Sequence, residues 1–144
     1  WTQLAVKRVG ARGKVVAIDL LPMEPVPGAT FLQADFASNE GLARLEEALA
    51  GLAPDVVLSD MAPNLSGIAI SDQARAYALA ELARDFALER LKPGGAFLVK
   101  VFQGSGQQEF HQSLKQAFAK VSVRKPAASR GESAEQYLLA VKGA

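Results

Sequence analysis

Four charged side chains stand where charge is costly or where ligands gather. Lys100 lies within the apolar run Ala96 to Val101, and Asp19, Asp35 and Asp60 each follow a short strand-like run. Burying an unpaired ammonium in an apolar strand is costly unless a counter-charge accompanies it or it gives up its proton. Two readings of Lys100 follow. One is a salt bridge with Asp60, which opens the segment Asp60-Met61-Ala62-Pro63-Asn64 and can face Lys100 across a cleft. The other is a general base, its pKa lowered towards neutrality by desolvation, able to take the proton of a hydroxyl nucleophile. The aspartates suit a different task, because ligands of open α/β sheets bind outside the carboxyl ends of the strands. Asp19 is placed to accept hydrogen bonds from both hydroxyls of a ribose, and Asp35 to accept an adenine amino group while the Phe36 ring packs on the base. Each acid alone is as readily a solvated strand end, and Phe36 alone a core residue. Three acids in step with the strand order favour a ligand.

The elements that must carry these residues are legible from apolar patterning. Val15 to Ile18, Thr30 to Gln33, Asp55 to Ser59 and Ala96 to Val101 read as strands buried on both faces, and Val121 to Arg124 and Tyr137 to Val141 as two final strands. Helices are expected from Ser38 or Asn39 to about Leu52, from Ser71-Asp72 to about Leu91, and from Gln107 to about Ala119, where Phe110, Leu114 and Phe118 share a face. Thr2 to Arg8 also has helical spacing. Lys92-Pro93-Gly94-Gly95 ends the long helix, and Leu20 to Gly28 and Pro126 to Ala134 read as loops. Strands alternating with helices predict an α/β domain with a mostly parallel sheet, since parallel neighbours need a crossover.

Bulk properties narrow the class. The 144 residues are 49% hydrophobic and 22% charged, the balance of one soluble globular domain spanning 1–144 rather than a disordered tail. No apolar run approaches the roughly 20 residues needed to span a bilayer, and the first residues do not read as a signal peptide. No membrane association is expected. With no cysteine and a single histidine, His111, a thiolate or histidine-rich metal site is excluded, and cytoplasmic residence fits. Sixteen Lys and Arg against fifteen Asp and Glu leave any nucleic-acid surface to local clusters such as Arg124, Lys125 and Arg130, which can contact RNA phosphates.

Six segments stand out together: Asp19-Leu20-Leu21-Pro22-Met23, Asp35-Phe36, Ser59-Asp60-Met61-Ala62-Pro63-Asn64-Leu65-Ser66-Gly67, Lys92-Pro93-Gly94-Gly95, Val99-Lys100-Val101-Phe102-Gln103-Gly104 and Val123-Arg124-Lys125-Pro126. With them the chain resembles the bacterial FtsJ family of RNA methyltransferases. The resemblance implies a Rossmann-like fold dependent on S-adenosylmethionine, with helices on both faces of the sheet. It further implies 2'-O-methylation of RNA, with a uridine ribose in 23S ribosomal RNA of the large subunit as the target. Of the family's Lys-Asp-Lys-Glu tetrad, the last three members match Asp60, Lys100 and Glu135, and Trp1 matches the tryptophan that closes the glycine turn at the cofactor. The first lysine, the first strand and the glycine turn would lie upstream of Trp1. By this resemblance Lys100, Asp60 and Glu135 are catalytic, and Trp1, Asp19, Asp35, Phe36 and Asp60 hold the cofactor. S-adenosylhomocysteine is the product, and no metal is needed. Ribosomal RNA is the expected partner, and no protein partner is expected. Methylation of transfer RNA or of a messenger cap is the nearest enzymatic alternative, and a non-catalytic RNA-binding fragment is another. A nucleotide-binding oxidoreductase would leave Lys100 without a task.

Overall fold

A computed structural model describes Thr2, Lys7 and residues 14–19, 26–60, 69–102, 106–124 and 135–143, with side chains at all of these except 69–74, 102 and 135. The chain divides into two compact units, Trp1–Leu52 and Ala53–Ala144.

In the first unit, β1 (Val15–Asp19) pairs in parallel with β2 (Ala29–Gln33), from Val15 opposite Ala29 to Asp19 opposite Gln33. Helix α1 (Asn39–Leu49) follows. Ser38 caps it: the residue is extended, and its Oγ accepts the Gly41 N–H at 2.9 Å, satisfying one of the open amides of the first turn. The helix ends at Leu49 rather than at the expected Leu52. Ala50 takes a left-handed conformation (φ 53°) and turns its N–H back to the Glu46 and Glu47 carbonyls, which closes the last turn early. Leu52 is consequently 62% exposed instead of completing an apolar face.

The second unit holds β3 (Val56–Ser59), α2 (Ala69–Arg90), β4 (Ala96–Phe102), α3 (Gln107–Ala117), β5 (Lys120–Arg124) and β6 (Glu135–Val141). The sheet order is β3-β4-β6-β5. β3 is parallel to β4, and β6 is antiparallel to both β4 and β5, so β3, β4 and β5 share one direction. The physical reason is the connection. Helices cross over between β3 and β4 and between β4 and β5, whereas no helix is expected between β5 and β6, and these two pair directly in opposite senses.

One face of this sheet forms the core. Phe97, Val99 and Val101 of β4 and Leu138 and Ala140 of β6 are buried with Ala80, Ala83 and Ala87 of α2 and Phe110 and Leu114 of α3. The alanine stripe lets α2 approach the sheet closely. Tyr77 sits tilted against Phe110 with ring centroids 5.8 Å apart, and its burial pushes the phenol pKa up to about 12. The other face holds Ala96, Leu98 and Lys100 at alternate positions of β4, all only partly buried.

The turn from α2 to β4 explains its two glycines. Gly94 has φ 81°, and a Cβ on Gly95 would stand 2.9 Å from the carbonyl oxygens of both Asp55 and Lys92. Lys142 closes the same corner, its Nζ donating to the Leu88 and Leu91 carbonyls at 2.7 and 2.8 Å at the negative end of α2. Lys142→Met keeps the aliphatic stem and removes both bonds. It should cost about 1–2 kcal/mol in urea unfolding, and an unchanged midpoint would show that the cap contributes nothing.

Candidate active site

β3 and β4 deliver the central pair. The last residue pair between them is Ser59 opposite Val99, so Asp60 and Lys100 are the next positions beyond it, at the carboxyl ends of two parallel neighbours. Their side chains meet: Lys100 Nζ lies 2.5 Å from Asp60 Oδ1, with the lysine side chain 16% and the aspartate 39% exposed. The ion pair supplies the counter-charge that a lysine in an apolar strand requires. It also does something a purely structural pair would not need to do, since it holds Nζ at the strand ends where ligands of such sheets bind. Asp60 remains open enough to solvent to meet a second group.

The register extends this pair across the sheet. Lys100 lies opposite Tyr137 on β6, and Tyr137 lies opposite Arg124 on β5. Directly opposed residues share a face, and that face is the one turned away from α2 and α3, because the next residue on β6, Leu138, is fully buried in the core they form with the sheet. Sequence patterning did not single out Tyr137. The alternation that defines its face, with Leu138 and Ala140 buried and Tyr137 and Leu139 only partly so, belongs to the fold, because Tyr137-Leu138-Leu139-Ala140 is apolar throughout.

Glu135 follows the loop expected to end at Ala134 and precedes the strand expected from Tyr137; in the structure it is the first residue of β6, opposite Phe102. A strand start two residues earlier than Tyr137 follows from the length of β4, whose seven residues all find partners on β6. The backbone of Glu135 is thus two register positions from that of Tyr137, and its side chain lies outside the described residues.

In the first unit, Asp19 and Asp35 gather at one end of the β1–β2 pair. Asp19 is exposed at the last paired position of β1, and its carbonyl accepts the Ala34 N–H at 2.9 Å. Asp35 begins the turn into α1: its Oδ1 accepts the Ala37 N–H at 2.9 Å, and its carbonyl accepts the Ser38 hydroxyl at 2.8 Å. Gly41 makes this turn possible, because a Cβ there would fall 1.9 Å from the Asp35 carbonyl oxygen. Phe36 is half-buried beside it. Carboxylates accept hydrogen bonds and an aromatic ring offers a flat apolar face, the chemistry that the ribose hydroxyls, amino group and base of an adenosyl moiety would meet. The residues present therefore fit that part of S-adenosylmethionine.

Trp1, Lys125, Arg130 and the segment Met61 to Gly67 lie outside the described residues. Among the described residues no group of three or more His, Cys, Asp or Glu side chains gathers as a metal site would. His111, on α3, is partly buried, its pKa lowered by burial and by the neighbouring Lys115 charge.

Comparison with known proteins decides the family. The model of the FtsJ-like methyltransferases matches residues 1–143. The chain belongs to the FtsJ-like methyltransferase family. It is 60% identical over 141 residues to the ribosomal RNA large subunit methyltransferase E of Azoarcus sp. (strain BH72), covering 98% of this chain and 69% of that relative. Among solved structures, a provisionally assigned ribosomal RNA methyltransferase from Plasmodium falciparum superposes with a TM-score of 0.83 at 27% identity, over 99% of this chain and 80% of that one. A methyltransferase assignment from Streptococcus mutans, solved in complex with SAH, shares the fold at TM-score 0.54 and 15% identity, over 90% of this chain and 71% of that one. The expected Rossmann-like methyltransferase fold and membership of the FtsJ family thus hold. Among the described residues no helix is long and apolar enough to cross a membrane.

Proposed function

We propose that this FtsJ-family methyltransferase transfers the methyl group of S-adenosylmethionine to a ribose 2'-hydroxyl of RNA, with a uridine of 23S ribosomal RNA in the large subunit as its target. The observation that carries the chemistry is the Lys100–Asp60 pair at 2.5 Å at the carboxyl ends of β3 and β4. The substrate class is supported by the 60% identical relative, whose name specifies large-subunit ribosomal RNA. The cytoplasm, where ribosomal subunits are made, is the proposed place of action.

Lys100 accepts or polarises the proton of the attacking 2'-hydroxyl, and Asp60 fixes the direction in which Nζ points. Positioning supplies much of the remaining rate, because holding the hydroxyl in line with an electrophilic carbon removes the entropic cost of bringing the two together. Glu135 completes the charge pattern, and Asp19, Asp35 and Phe36 hold the adenosyl part of the cofactor, with Asp60 contributing at the methyl-bearing end and Trp1 at the glycine turn. S-adenosylmethionine would supply a sulfonium-bound methyl group, whose transfer to the 2'-oxygen breaks the carbon–sulfur bond and releases neutral S-adenosylhomocysteine without metal assistance.

The reading is tested with labelled S-adenosylmethionine and large ribosomal subunits from cells lacking the corresponding modification. Label should appear in ribosomal RNA as a ribose methyl group that blocks alkaline cleavage at one nucleotide. Label on a base, or on transfer RNA or capped messenger RNA in preference to the subunit, would overturn it.

A further inference from the structure

The sheet places four chemically distinct side chains in one transverse row. Asp60 follows β3, Lys100 lies on β4, Tyr137 on β6 and Arg124 on β5, each beside the next in the strand order. The row runs from an anion through the buried cation and a half-buried phenol ring to an exposed cation on the edge strand. Neighbouring strands lie about 5 Å apart, so Arg124 stands roughly 10 Å from Lys100 at the backbone. That is close to the reach from a ribose hydroxyl to a neighbouring phosphate once the length of an arginine side chain is included.

We infer that Tyr137 and Arg124 continue the Asp60–Lys100 pair as a track for the substrate strand. Tyr137 takes the face of the nucleotide sugar or base whose hydroxyl meets Lys100, and Arg124 takes a phosphate beside it. The inference rests on the ribose-methylation reading of the same site. Its chemistry is that of single-stranded RNA recognition, in which unstacked bases lie on aromatic rings and guanidinium groups hold the backbone. A ring also suits this position sterically. Lys100 and Arg124 are its register partners on either side, and an aromatic face tolerates any base. Leucine or valine would fill the same strand position equally well as packing, and the neighbouring residue on that face, Leu139, is aliphatic.

The experiment measures methyl transfer by the full-length protein to unmodified large-subunit RNA, separating kcat from the KM for RNA, with S-adenosylmethionine affinity determined on each sample. If the wild-type protein labels no ribose, the functional reading fails and takes this inference with it. If it does, Tyr137→Leu should raise the RNA KM about tenfold or more with cofactor affinity unchanged, and Tyr137→Phe should restore it. Arg124→Gln, on an exposed edge position that does not threaten folding, should raise KM and flatten the dependence of log KM on log salt by about 0.7, the loss of one phosphate contact on a single strand. A Tyr137→Leu enzyme with wild-type KM and reduced kcat would mean the ring merely packs on Lys100, overturning the inference. An unchanged salt slope in Arg124→Gln would overturn it as well.

Discussion

Lys100→Ala is expected to lower single-turnover methyl transfer by about 10²–10⁴-fold, the usual contribution of a positioned proton acceptor, while leaving S-adenosylmethionine affinity within about twofold. The separation follows from the roles proposed: Lys100 acts on the ribose hydroxyl, whereas the adenosyl group is assigned to Asp19, Asp35 and Phe36, and the Asp60 carboxylate stays in place in the variant. Nor should the substitution unfold the protein. The Asp60 carboxylate it leaves behind is 39% exposed and keeps access to water, so it does not become a stranded buried charge. Asp60→Asn provides the complementary case. It removes the carboxylate charge that lies against the lysine, whose side chain is only 16% exposed, and should lower both activity and stability. The decisive measurement is quenched-flow methyl transfer at saturating cofactor. Equal rates in Lys100→Ala and the wild type would remove the lysine from the mechanism and leave the salt bridge as its whole explanation.

Phe97→Ala should have the largest effect on stability, about 3–5 kcal/mol, by removing a ring from the centre of the core and leaving space its neighbours cannot fill. Phe97 is fully buried and lies nearly parallel to Phe118, with centroids 6.0 Å apart and planes inclined by 18°. It also pairs with Val57 on β3 and Ala140 on β6, so three strands converge on it. Since small domains are stable by only about 5–15 kcal/mol in total, the loss is a large fraction of what holds the fold together. Function should fall with it, because Phe97 anchors the same strand that carries Lys100 three residues later. Phe97→Leu, which retains most of the buried volume, should cost clearly less. Urea unfolding monitored by circular dichroism checks both, and a shift under 1 kcal/mol for Phe97→Ala, against the range expected for such a deletion, would show that the core reorganises around the gap.

The elements and much of the chemistry were fixed by local properties of the chain. Apolar runs ending in Asp19, Asp35 and Asp60 announced strands with acids at their carboxyl ends, and a lysine among apolar residues announced a partner, because burial of a lone charge is prohibitive. Ser38 could be chosen as a cap from residue type, and Lys92 to Gly95 as a stop, since both depend on backbone requirements only a few residues long. Local pattern also carried its limits. The end of α1 at Leu49 depended on Ala50 adopting a left-handed conformation, which alanine adopts rarely and which no residue-type signal marks. Other features were decided only by tertiary structure. Glu135 joined β6 because β4 offered it a partner in Phe102, and Lys142 became a helix cap because the chain returned to the end of α2 from more than fifty residues away. The row Asp60, Lys100, Tyr137, Arg124 is the clearest case. Its members are spread over 78 positions of the sequence, and nothing in the residues around Tyr137 marks it as a site residue. Strand order and register brought them side by side, since pairing partners in a sheet are chosen by the packing of whole faces and not by any property of the paired residues alone.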